Sequence, residues 1–158
     1  MKYLLLPCLL ILLIACGSCK KSASSILPPS SYKMTATITK SGNSTFFSAS
    51  GNSYVTAANG NNECKISASA VSGTSVISNF TFSISGYSGV GSYVFDSIYA
   101  PVADYETITP AFIQTAFAYA IVSITSVSYE DVYGTFAGTL TDGSVITDGK
   151  FIASGTGF

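Results

Sequence analysis

Asn79-Phe80-Thr81-Phe82-Ser83-Ile84 alternates polar and apolar side chains without a break. Successive side chains of a strand point to opposite faces, so this stretch puts Phe80, Phe82 and Ile84 on a buried face. Asn79, Thr81 and Ser83 fall on the more exposed one. A helix would spread the three large side chains around its circumference. The stretch therefore decides for a sheet with one apolar face, and the same period recurs on both sides of it.

Upstream, Cys64, Ile66, Ala68 and Ala70 alternate with Lys65, Ser67 and Ser69, and Ser72-Gly73-Thr74-Ser75 turns the chain between the two runs. Residues 54–58 form a shorter strand, ended by the turn signal Asn59-Gly60-Asn61-Asn62. Phe46-Phe47 begins another, between Ser41-Gly42-Asn43 and Gly51-Asn52. Tyr32, Met34, Ala36 and Ile38 alternate with Lys33, Thr35, Thr37 and Thr39.

Downstream, residues 86–91 are a Gly-rich corner, and a strand resumes over 92–95. Residues 96–110 read as the longest irregular stretch. In the apolar run 112–128, the half from Tyr119 to Val127 is β-branched and favours a strand. Its first half, 111–118, stays open between a strand and a helical turn after Pro110. Residues 132–140 and 145–153 form a closing hairpin across Thr141-Asp142-Gly143-Ser144. The pattern predicts an all-β domain, an antiparallel β-sandwich or barrel of eight to nine short strands.

The chain opens with a different kind of segment. Met1-Lys2 carries one charge, residues 3–15 are apolar apart from Tyr3, and Leu13-Ile14-Ala15 precede Cys16. That thirteen-residue run is shorter than the roughly 20 residues of a spanning helix. A charged start, a short apolar core and a small residue before the cut fit a removable export signal. Small residues before a cysteine add a lipid acceptor, which is Cys16 in preference to Cys19. The expectation is a signal over 1–15, a lipidated cysteine and flexible tether over 16–31, and one domain over 32–158. Lys20-Lys21, a Ser-rich run and Pro28-Pro29 make the tether an extended spacer. The mature chain would then be anchored to a membrane by lipid without spanning it. No Asp or acidic cluster follows Cys16, so the default address is the outer membrane, facing the periplasm.

Composition limits the chemistry. There is no His, no Trp and no Arg, only 9% of residues are charged, and ten Phe and ten Tyr are available for a core. The acidic balance and missing Arg argue against nucleic acid, which needs a basic footprint. Residues 17–65 hold five Lys and one Glu, and residues 66–158 one Lys against seven acids. We read this asymmetry as scattered solvated charge. Without His, the Ser-His and Cys-His nucleophile systems are missing. Cys19 and Cys64 would be free to pair in an oxidising compartment, but one lies in the tether and one in a strand, and the reading favours two thiols.

Asp104/Glu106 and Glu130/Asp131 are paired carboxylates that could serve a glycoside hydrolase, although polar loop residues flanking strands account for them more simply. Asp142-Gly143 and Asp148-Gly149 read as turns rather than calcium ligands. No metal and no cofactor is expected. The candidate binding residues are Tyr87, Tyr93, Tyr99, Asp104, Tyr105 and Glu106, on the Gly corner and the long stretch after it. Tyrosines there could stack on an envelope glycan or a protein partner, or else cover the end of the core. The expected role is a non-catalytic binding module. A carboxylate-based hydrolase of envelope glycans and a purely structural envelope protein are the alternatives.

Three stretches carry a resemblance: Met34-Thr35-Ala36-Thr37-Ile38, the corner Ile84-Ser85-Gly86-Tyr87-Ser88-Gly89-Val90-Gly91-Ser92-Tyr93, and Val132-Tyr133-Gly134-Thr135-Phe136-Ala137-Gly138-Thr139-Leu140 followed by Ile146-Thr147-Asp148-Gly149-Lys150-Phe151. They resemble small Bacteroidota lipoproteins with a β-rich domain of unknown function. Members often have a Trp after the first strand, and this chain has none. The resemblance implies a fold and an envelope address, and it implies no activity.

Overall fold

The computed structural model describes residues 32–51, 54–96, 103–108 and 113–158. The signal, Cys16, Cys19, the tether and Tyr99 lie outside them. Among the described residues the protein is all-β, with no helix. Ten strands follow one another: β1 (Lys33–Lys40), β2 (Asn43–Ser50), β3 (Val55–Gly60), β4 (Glu63–Ser72), β5 (Ser75–Ser85), β6 (Gly91–Asp96), β7 (Ala103–Thr107), β8 (Ile113–Val127), β9 (Asp131–Leu140) and β10 (Val145–Thr156).

Seven of them, β3, β4, β5, β7, β8, β9 and β10, close into a barrel, and β1, β2 and β6 are added to it. β10 carries β9 along one side and β1, then β3, along the other. β8 likewise carries β9 on one side and β7, then β6, on the other. All pairings are antiparallel except β3 with the last residues of β10.

Phe80, Phe82 and Ile84 are at most 2% exposed, and their neighbours Asn79, Thr81 and Ser83 are half-buried, as the alternation requires. Rings fill the barrel. Phe82 meets Phe136 at 5.0 Å, Phe117 at 5.6 Å and Phe95 at 6.0 Å between centroids. Phe80 meets Phe47 at 4.7 Å and Phe136 at 5.3 Å. Such ring pairs add to the area they bury.

Closure depends on curvature. One extra residue interrupts the register of β10, between Thr147 and Lys150 against β1 and between Ile146 and Gly149 against β9, and β8 slips twice against β9. Bulges bend and twist a strand, which is how a sheet is brought round on itself. Glycines allow the tight approach. A side chain at Gly134 would meet Ser123 O at 2.5 Å, and one at Gly138 would meet Ala120 Cα at 2.9 Å.

Three expectations are corrected, and one open reading is decided. The strands number ten among the described residues, against eight to nine. The additional one, β7, lies inside the stretch 96–110 that reads as irregular. It is held on both sides by β5 and β8, so pairing outweighs the flanking prolines that suggest a loop. Asp104 and Glu106 are accordingly strand residues. The first half of the run after Pro110 is strand from Ile113 on, continuous with β8. Finally, Asp148-Gly149 is no turn: Asp148 takes φ 54° as the bulge inside β10. Asp142-Gly143 does form the hairpin turn, with Gly143 at φ 83°.

Candidate functional site

The strand directions give the barrel two ends. β1 enters at Lys33, β10 leaves past Ile152, and the turns after β3, β5 and β8 lie beside them. We call this the entry end. Lys40, the β1–β2 turn, Thr107, Ile113 and the β9–β10 turn lie at the other, far end. Eight residues of β1 separate the two by roughly 23 Å at the usual rise of a strand.

The candidate tyrosines are divided between these ends. Tyr87 follows β5 at the entry end, with its ring 5.9 Å from Tyr93 and edge-on to Phe158 at 5.7 Å. Tyr93 Oη donates to Gly89 O at 2.6 Å and accepts the Ser88 N–H at 3.2 Å, which staples the Gly corner. Burial, first, and the neighbouring Cys64 push the Tyr87 hydroxyl up to about 12. These two rings cover the core. Tyr32 and Tyr133 stand at the same end around the buried Asp131, and burial raises both of their hydroxyls above the ordinary range. Cys64, fully buried on β4, is unpaired among the described residues, and desolvation pushes its thiol up to about 12. Deep burial with a raised pKa makes an inert thiol.

Tyr105 is at the far end. It pairs with Phe80 across β5 and β7, and its ring lies 4.7 Å from the Phe80 ring. Asp104 and Glu106, one residue to either side, face the opposite way on the barrel wall. Asp104 accepts from Gln114 Nε2 at 3.1 Å and Glu106 from Asn79 Nδ2 at 3.2 Å. The structure therefore brings Tyr87 to Tyr93, and separates both from Tyr105 and from the two carboxylates.

What Tyr105 does line is open space. A cleft of about 410 Å³ is floored by Ile38 and Leu140 and walled by Tyr105, Thr107, Thr45 and Asn43. That is within the usual range for ligand pockets, about 300–1,000 Å³. Thr115, Ser144 and the exposed Ile113 complete it on the β8 and hairpin side. A second cleft of about 280 Å³ shares Thr45, Tyr105 and Thr107 and adds Phe46, Phe47 and Ser78. Tyr105 and its neighbours thus form a ridge between two depressions.

One ion pair crosses the first cleft. Lys40 Nζ donates to Asp142 Oδ2 at 2.6 Å, and the Ser144 N–H donates to Asp142 Oδ1 at 3.0 Å. The lysine first, then the Ser144 amide, hold the Asp142 carboxyl down at about 2. The cleft is therefore lined by neutral hydroxyls, an amide, a phenol and a self-neutralised charge pair. Sequence reading missed all of these but Tyr105, because Lys40, Thr45 and Asp142 belong to turns and strand ends far apart in the chain. The only local signal was Phe46, apolar beside the equally apolar Phe47 in a strand that has room for one of them inside.

Among the described residues no three His, Cys, Asp or Glu side chains converge as metal ligands, and no helix is long and apolar enough to cross a membrane. No family model, no curated protein and no solved structure matches the chain.

Proposed function

We propose that this protein is a lipid-anchored binding module of the bacterial cell envelope, held through Cys16 and carrying its ligand in the far-end cleft. The observation that supports the binding role most is the lining of that cleft. A partly buried tyrosine, hydroxyls from four strands and turns, and an apolar floor converge on one concave surface above a filled core. Few, well-placed polar groups over an apolar floor are the usual make-up of a ligand site.

Binding fits this lining better than hydrolysis. A general acid needs a raised pKa, and Asp142, the carboxylate in the cleft, is held low by Lys40. Asp104 and Glu106 lie on the outer wall, each in an amide hydrogen bond. Glu130 and Asp131 belong to the entry end.

The placement suits a tethered protein. The folded chain begins at the entry end, so a tether joining there leaves the cleft facing away from the membrane. Sixteen residues of tether, 16–31, reach about 50 Å when extended. The outer membrane, on its periplasmic side, is the proposed address, in keeping with the resemblance to small Bacteroidota lipoproteins.

Two variants test the two halves of the proposal. Cys16→Ala is expected to move the protein out of the membrane fraction or leave an uncleaved precursor. An unmodified Cys16 in the mature protein by mass spectrometry sinks the anchor. Thr45→Trp fills the cleft mouth, and the immobilised full chain is expected to lose retention of envelope glycan or peptide fractions. Equal retention by the parent and the variant sinks the cleft.

A further inference from the structure

We infer that the two far-end clefts are adjoining subsites for one ligand, a neutral oligosaccharide chain that straddles the ridge of Tyr105 and Thr107. This rests on the cleft being the binding site, and it adds the ligand class and the mode of binding.

The argument starts from the rings. Phe46 is 67% exposed although its neighbour Phe47 is buried in the core. In β2 the two must point to opposite sides. Exposing a phenyl gains nothing for the fold, since its apolar area stays in water. Phe46 lines the second cleft, so an apolar platform stands beside one depression and Tyr105 between both. Flat apolar rings beside polar side chains suit a sugar, which has a C–H face and a rim of hydroxyls.

The polar groups agree. Thr45 and Thr107, which are not buried, can each donate and accept, as a sugar hydroxyl does, and the exposed Asn43 amide offers both functions. An anionic or cationic ligand would need an unmatched opposite charge. The cleft's charges, Lys40 and Asp142, satisfy each other at 2.6 Å. Among the described residues a charged polymer or peptide terminus therefore meets no free counter-charge there, whereas neutral hydroxyls can bond to the outer atoms of the pair.

Continuity between the depressions gives the length. Thr45, Tyr105 and Thr107 belong to both. One sugar ring can occupy one side only, so a chain gains contacts that a monosaccharide cannot make.

Isothermal titration of the detergent-solubilised full chain tests this, with cellohexaose, chitohexaose and maltohexaose beside glucose, N-acetylglucosamine and a neutral decapeptide. At least one hexaose is expected to bind, and its monosaccharide to bind at least about tenfold more weakly. Phe46→Ala is expected to weaken hexaose binding about tenfold with an unchanged melting temperature, because the ring is exposed. Tyr105→Phe, which keeps the packing on Phe80, is expected to weaken it less. No binding by any hexaose, equal binding by the monosaccharide, or indifference to Phe46→Ala overturns the inference. Retention of the peptide in preference to every hexaose overturns the ligand class and leaves the binding role standing. Failure of the binding role itself is read separately, from envelope fractions that ignore Thr45→Trp.

Discussion

At the entry end of the barrel, Tyr87 lies on Tyr93 and against Phe158, and the three rings seal the core. At the far end, Tyr105 lies on Phe80 with open space on either side. The same residue type serves opposite purposes because of what surrounds it. Entry-end tyrosines pack on one another, Tyr93 uses its hydroxyl on the Gly corner, and the depression that Tyr93 borders is about 210 Å³, about half the size of the far-end cleft. The far end keeps the hydroxyls of Thr45 and Thr107 and the Phe46 phenyl open to solvent, with Ser144 and Thr115 buried behind them. A tyrosine-rich segment is thus no guide to a site until its contacts are known. The electrostatics divide in the same way: the entry end holds groups pushed up by burial, and the far end a carboxyl held down by a lysine.

The largest expected effect is on what the ends share. Phe82 is fully buried between Phe80, Phe95, Phe117 and Phe136. Phe82→Ala should cost about 3–5 kcal/mol. Tyrosine emission and far-ultraviolet circular dichroism should report one coincident transition in urea. Two separate transitions would mean that the ends are independent units and would break the comparison at its root.

Next come the glycines that let the wall close. Gly138→Ala places a methyl 2.9 Å from both Ala120 Cα and the Phe117 ring, and should cost about 1–3 kcal/mol. A urea midpoint equal to the parent's would show that β9 has slack there and that closure does not depend on this contact.

Alkali should act on the entry end. Cys64 and Tyr87 have ordinary values of 9.0 and 10.0, and both are pushed up to about 12 in the folded chain. The unfolded chain loses these protons first, so stability is intact below pH 9 and falls as the pH rises from 9 toward 12. Urea midpoints should decline over that window, and Cys64→Ala should flatten its lower part. A flat profile would mean that the entry end is hydrated and not sealed.

The smallest effect belongs to the far end. The Asp142 carboxyl is lowered from 3.8 to about 2, so its contribution is present above pH 3.8 and lost as the pH falls toward 2. Lys40 and Asp142 are 59% and 33% exposed, and solvent screening limits an exposed pair to about 0.2–1 kcal/mol. Lys40→Met should lower stability by that amount at neutral pH and shrink this acid limb to the part that Ser144 supplies. A loss of several kcal/mol would mean that the pair is a structural clasp and not the polar wall of an open cleft.

Much of the fold is legible along the chain, and the site is not. The alternations at Met34–Ile38, Cys64–Ala70 and Asn79–Ile84 name the buried faces directly, since a strand face is a property of its own residues. The hairpin turn at Asp142-Gly143 is equally local, because Gly143 supplies the positive φ. The Asp148-Gly149 dipeptide has the same letters and forms a bulge, because neighbours on both sides keep β10 in the sheet there. β7 escapes notice for a related reason: five residues between prolines carry a weak signal, and what makes them a strand is a partner on each edge.

By itself, then, the sequence determined an all-β chain, the inward face of most strands, the final hairpin and the lack of His and Arg. Each depends on residue type or on neighbours a few positions away. The tertiary structure alone decided that the sheet closes into a barrel, and which tyrosines seal an end and which border a cleft. It alone brought Lys40 to Asp142, 102 residues away. Closure and end-sharing are set by register, bulges and the approach of distant backbones, and the alternation of side chains carries no record of which strand lies beside which.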